Sequence, residues 1–126
     1  MSENSTQAGN DVVRSGMMSV LQKFSAMVGA HAVCDYPLQG EFLAIGKNRF
    51  KPSPLIPWYQ ALGAHSVIHG LAVGVVTKSV CFGVSEALVH AITDDLKCKG
   101  RLSFNQDQMI HIACKFVWAA LSERRS

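Results

Sequence analysis

The sequence has no clean apolar span, no basic leader, no closely paired cysteines and no strong charge of either sign, and each absence removes a class of protein. Charged residues make up only 17% of the 126 positions and the formal net charge is +3. That field is too weak to mark a nucleic-acid binder, so no specific nucleic-acid partner is expected. The four cysteines, Cys34, Cys81, Cys98 and Cys114, show no C-x-x-C spacing. They read as mostly buried small side chains in a reducing compartment, not as disulfides or a thiolate metal site. The opening residues, MSENSTQAGND, are polar and lack the basic start and apolar stretch of a signal peptide, which places the chain in the cytosol or on its membrane face. The uncharged run Pro52–Thr77 holds Trp58, Tyr59, Gln60, His65, Ser66 and His69, and the short apolar run after it, Ser79–Ile92, carries Glu86 and His90. Such material suits buried helices better than lipid-facing spans. Membrane association still stands as an alternative, because 48% of the residues are hydrophobic and mean hydropathy is +0.16.

What is present reads as one helical domain, since a chain of this length buries a single modest core. Residues 1–10 form a disordered lead, residues 11–122 the domain, and residues 123–126 a frayed basic tail. Asp11 is a candidate cap for a first helix whose apolar positions Val13, Met17, Leu21, Phe24, Met27 and Val28 recur at three- and four-residue steps until Pro37. Met17, Met18 and Met27 are read as core filler. A short helix or turn follows in LQGEFLAIGK. Three of the four prolines then fall in NRFKPSPLIPW, which is an extended loop. Helix resumes at Trp58, where Gly63, Gly70 and Gly74 offer a small-residue face. Thr77, Lys78 and Ser79 break it, a third helix runs from about Val80 to Lys97, and Gly100 is a candidate left-handed residue. Ser103 or Asn105 caps the last helix, QDQMIHIACKFVWAAL, in which Trp118 is packing material. The expected fold is therefore all-α: a compact bundle of four main helices with the long Pro-rich loop between the first two.

The chemistry lies in a spacing. All five histidines stand one helical turn from another histidine or an aspartate: His31 and Asp35, His65 and His69, His90 and Asp94, Asp107 and His111. Residues four apart on a helix share a face, so each pair is a two-toothed clamp. Imidazole and carboxylate together suit zinc, manganese or iron, and eight such groups exceed the needs of one tetrahedral ion, which leaves one or two ions open. Glu86, one turn before His90, is the candidate for proton transfer, with ligation or a supporting contact as alternatives. Gln39 and Lys47 are placed at the site mouth. The basic groups Lys47, Arg49, Lys51, Lys97, Lys99 and Arg101 could meet a phosphate or lipid head groups, or be ordinary solvated helix-end charges.

The segments HAVCDYPLQGEFLAIGK, PWYQALGAHSVIHG, SEALVHAITDDLKCKGR and FNQDQMIHIACK occur in that order. Together they resemble the phage and bacterial domain-of-unknown-function family 3307 over about residues 28–119. The resemblance implies a shared set at His31, Asp35, Gln39, Ala44, Lys47, His65, His69, Glu86, His90, Asp94, Asp107, Gln108 and His111. It also implies a phage-type origin and relatives usually described as membrane proteins, from which this chain departs by carrying Lys78 and Glu86 in its apolar half. It names no reaction.

The expectation drawn from these observations is a metal-dependent hydrolase of a phosphoester or nucleotide-like substrate. Its ligands are His31, Asp35, His65, His69, His90, Asp94, Asp107 and His111, Glu86 is catalytic, and Gln39, Lys47 and Lys97 face an anionic small-molecule substrate. The alternative is a non-enzymatic phage accessory protein that binds a host protein or a membrane surface, with the polar cluster specifying the fold. Either would work in the host cytoplasm or at its inner membrane.

Overall fold

Prolines and caps cut this chain into helices. The computed structural model describes residues 2–125, which form five helices and, among the described residues, no strand: α1 (Ser2–Asp35), α2 (Gly40–Gly46), α3 (Trp58–Thr77), α4 (Val80–Cys98) and α5 (Phe104–Arg124). Pro37 lies just past α1, and Pro57 occupies the cap of α3, where a missing N–H is harmless. Lys78 closes α3 in the left-handed region at φ 54°, and Gly100 turns the chain between α4 and α5 at φ 82°. The Ser79 hydroxyl accepts from the Phe82 amide at the start of α4. At α5 the choice between two caps falls on Ser103, which forms a capping box with Gln106.

Two boundaries differ from the sequence reading. Helix α1 starts at Ser2, so residues 2–10 are helical and Asp11 lies inside the helix, where it accepts from Gln7 one turn earlier. Those residues are polar but contain no proline, and Glu3 sits in the first turn where a carboxylate favours the helix dipole. Polarity alone does not break a solvated helix. At the other end α5 runs through Arg124, a cation in the last turn. Met1 and Ser126 lie outside the described residues.

Packing joins α3 to α4 most extensively, with α1 against both α5 and α3. The α3–α4 crossing is close because it is made by glycines. A Cβ on Gly70 would lie 2.6 Å from the Gly83 carbonyl oxygen, and a Cβ on Gly83 would lie 2.8 Å from that of Gly70. Gly63, by contrast, meets nothing.

The apolar core is small: Met27, Val73, Phe82 and Ala119, flanked by Val20, Phe24, Val76 and Trp118. Met17 and Met18 are exposed, so only Met27 of the three methionines fills the core. Of the cysteines only Cys34 is buried; Cys81 is exposed, on the opposite side of its turn from the buried Phe82 and Gly83. Outward stripes at four-residue steps, Val67, Leu71 and Val75 on α3 and Val84, Leu88 and Ile92 on α4, are also exposed. Helix α3 is long and apolar enough to cross a membrane by length and composition, with 39% of that stretch buried. The bundle thus keeps much of its hydrocarbon outside, and what it buries instead is polar.

Candidate metal centre

The four clamps come from four helices and meet at one end of the bundle. Helix α1 ends there with His31 and Asp35, α3 begins there with His65 and His69, α4 ends there with His90 and Asp94, and α5 begins there with Asp107 and His111. Every one of these side chains is buried except Asp35, which is half-buried. Four-residue spacing puts both members of each pair on the inward face of its helix. Their clustering is what the spacing predicts.

The tightest convergence is on Asp35. Its Oδ1 lies 3.0 Å from His69 Nε2, 3.2 Å from His65 Nε2 and 4.0 Å from His90 Nε2, while His65 Nε2 and His90 Nε2 are 3.1 Å apart. Bonds of about 2.0–2.2 Å to a tetrahedral zinc place ligand atoms roughly 3.3–3.5 Å from one another. The contacts of 3.0–3.2 Å approach that spacing and the 4.0 Å one exceeds it, and Asp35 and the three imidazoles together could hold a metal ion. The other Asp35 oxygen accepts from Gln108 Nε2 at 2.9 Å and lies 3.2 Å from His31 Nε2. His31 is thus placed to orient the carboxylate of Asp35. Its ring also packs against those of His69 and His111, with centroids 4.8 Å and 5.1 Å away.

A second convergence joins Asp94, Asp107 and His111, which form another group able to hold an ion. His111 Nε2 is 3.3 Å from Asp107 Oδ1 and 3.7 Å from Asp94 Oδ1. Two lysines enter from the solvent side. Lys47 donates to Asp94 Oδ2 and to Gln39 Oε1, both at 2.5 Å, and Lys97 donates to Asp107 Oδ2 at 3.0 Å. Gln39 in turn donates to the Asp35 carbonyl at 3.3 Å. Gln39, Lys47 and Lys97, expected to face a substrate, are here engaged by Asp35, Asp94 and Asp107. Lys47, however, is buried and not solvated, because its ammonium meets a buried carboxylate. Arg49 instead makes a forked pair with Asp95, and Lys51, Lys99 and Arg101 stay on the surface.

Beneath the imidazoles lies Glu86, with both oxygens engaged. It accepts from Lys115 through Oε1 and from Trp118 Nε1 through Oε2 at 2.7 Å, and His90 Nδ1 stands 3.7 Å from Oε1. Lys115 is 1% exposed and was not singled out from the sequence, although it follows His111 by four residues on the same inward stripe. Trp118, read as packing, packs on Phe82 and also makes this hydrogen bond.

Protonation follows from the surroundings. Burial lowers His69 to about 4 and His90 to about 3, overcoming the pull of Asp35 on the first and Glu86 on the second. Both rings are neutral near pH 7, the form that binds metal. Burial opposes the charge on Asp35, but hydrogen bonding to His31, His65, His69 and Gln108 outweighs it and holds the carboxyl far below its usual range. Asp94 goes the same way, its burial outweighed by His111, Lys47, His90 and Lys97. Glu86, buried but held by His90, Lys115 and Trp118, falls to about 2. His111 moves upward: Asp107 and Asp94 overcome the effect of burial. The centre thus joins fixed anions to the neutral imidazoles of His69 and His90. No family model, curated protein or solved structure matches the chain.

Proposed function

We propose that this protein is a metal-dependent hydrolase of a phosphoester or nucleotide-like substrate, built as one bundle of its four long helices around a divalent ion, zinc, manganese or iron. The observation that carries the reading is the convergence of ligand atoms from the half-buried Asp35 and the buried His65, His69 and His90, all within 4.8 Å of one another. An ion there would supply Lewis acidity, which makes water a competent nucleophile near neutral pH. In the reaction, the water oxygen adds to phosphorus, the bond to the leaving oxygen breaks, and a water proton ends on that oxygen. The half-buried Asp35, Gln39, Lys97 and Gln108 mark where the cluster nears solvent, and Lys47 and Lys97 bring cationic charge to that side for an anionic substrate.

Glu86 takes a different part from proton transfer in this account. A carboxylate held by Lys115 and Trp118, with its pKa near 2, is a weak base. Its place on the Nδ1 side of His90 suits it to orient that ring while Nε2 faces the ion.

A second reading has its own support. The exposed apolar stripes of α3 and α4 suit a protein that docks on a host protein or membrane, with the polar cluster serving the fold alone. One experiment separates the two. Untagged protein is assayed on a phosphodiester and on nucleoside triphosphates, with added metal and with chelator, beside His69→Gln. The hydrolase reading expects turnover that needs metal and vanishes in the variant. Folded protein that binds metal but hydrolyses nothing would leave the metal site and remove the enzyme.

A further inference from the structure

The Asp94–Asp107–His111 group shares its end of the bundle with Asp35, His65, His69 and His90, and its contacts divide in an unusual way. Each aspartate gives one oxygen to a lysine: Asp94 Oδ2 to Lys47 and Asp107 Oδ2 to Lys97, with Gln108 Nε2 also 3.3 Å from the latter. The opposite oxygens turn toward His111 Nε2, at 3.3 Å for Asp107 and 3.7 Å for Asp94. Asp107 Oδ1 and His111 Nε2 are fully buried, yet neither has a hydrogen-bond partner within the protein. Leaving such atoms unpaired costs roughly 1–3 kcal/mol each, so atoms converging in this way are explained by something that binds between them. A carboxylate oxygen, a second carboxylate oxygen and an imidazole nitrogen make a ligand set for a divalent cation.

Asp94 also reaches the first set. Its Oδ2 is 3.5 Å from His65 Nε2 and 3.6 Å from His90 Nε2, while its Oδ1 faces His111. We infer that Asp94 bridges two divalent ions, the first held by Asp35, His65, His69 and His90 and the second by Asp94, Asp107 and His111. This rests on the metal-site reading above and adds the second ion, at the separation of about 3.5–4 Å that a carboxylate bridge gives in two-ion hydrolytic centres. The second ion binds more weakly than the first, because the Lys97 ammonium lies 3.5 Å from Asp94 Oδ1, an oxygen that ion needs, and 3.0 Å from Asp107 Oδ2, so its charge opposes a cation there. Lys97 is partly exposed and free to turn aside; Lys47 is buried and keeps its hold on Asp94.

The test uses untagged full-length protein and manganese(II) alone, with bound ions counted by elemental analysis after titration and their coupling read by electron paramagnetic resonance. The expected result is two ions per chain, one tight and one weak, with the spectrum of an exchange-coupled pair. Asp107→Asn and His111→Gln should each keep the tight ion and lose the weak one, along with the coupling, and Lys97→Met should tighten the weak ion. A single uncoupled ion per chain in both the wild-type protein and Lys97→Met would overturn the bridge and leave the first site standing. Two ions retained in Asp107→Asn would overturn the assignment of ligands. No bound ion at all would overturn the first site, and the bridge with it.

Discussion

The two ends of this bundle are filled by opposite chemistry on the same four helices. At one end Met27, Val73, Phe82 and Ala119 pack hydrocarbon; at the other, imidazoles, carboxylates and two buried lysines occupy the same interior. The apolar end gains from burial itself, on the order of 25 cal/mol for each Å² removed from water. The polar end has no such gain and holds only while its charges are matched and its donors find acceptors. The first end is therefore a structural unit with no titrating group or metal ligand in it. The second should respond to pH, to metal and to the loss of any single charge.

The largest expected effect breaks the polar end from beneath. Lys115→Met leaves the buried Glu86 carboxylate without its cation, and urea denaturation should show a loss of about 3–5 kcal/mol. Adding Glu86→Leu should restore most of it, since no buried charge is then left alone. Met27→Ala tests the apolar end and should cost roughly 2–5 kcal/mol, by the same amount with and without metal. Metal should act only on the polar end. At a hundredfold excess over its dissociation constant it should add about 2.7 kcal/mol in thermal or urea unfolding, and the gain should disappear in His69→Gln.

A further effect, spread over several pH units, is set by protons. His69 and His90 have folded values of about 4 and 3, below their ordinary 6.5, so the unfolded chain takes up their protons first as pH falls. The stability they allow is present above about pH 6.5 and is lost through pH 4 and below, at up to about 1.4 kcal/mol per pH unit for each group. His111, raised, works in the opposite sense: its contribution is present below 6.5 and lost as pH rises through its folded value. Two groups outweigh one. The urea midpoint of metal-free protein should therefore fall from pH 7 to pH 4, and Glu86, Asp35 and Asp94 should deepen the loss below about 4.5. A midpoint that rose on acidification would contradict this charge pattern. The smallest effect belongs to the outer surface. Leu88→Ser, on the outward stripe of α4, should change the stability of the isolated protein by no more than about 0.5 kcal/mol.

The polar end was legible in the sequence because a four-residue step fixes which side chains share a helix face. That rule brought His31, Asp35, His65, His69, His90, Asp94, Asp107 and His111 together with no knowledge of the packing. Lys115 obeys the same rule, one turn after His111, but lysine is so rarely buried that its place on the stripe was no signal by itself. The two roles of Lys47 and Lys97 were hidden for another reason: which oxygen of Asp94 or Asp107 each one holds depends on how α2, α4 and α5 sit against one another. The apolar end was harder to read. Met17, Met18 and Leu21 continue the stripe of Met27, yet they are exposed, while Ser19 and Lys23 beside them reach Glu123 of α5 and Val20 packs on the core. A periodic stripe shows a face, and only packing decides whether that face is buried. The helical lead was missed because its polarity forbids a core without forbidding a helix.

The central claim is that the first four ligand atoms surround an ion. Crystals of untagged protein grown with zinc, measured at and below the zinc absorption edge, test it most directly. The account predicts an anomalous peak about 2.0–2.2 Å from Asp35 Oδ1 and from the Nε2 atoms of His65, His69 and His90. It is contradicted by a map with no peak there, in which Asp35 is still held by the hydrogen bonds of His69 and Gln108.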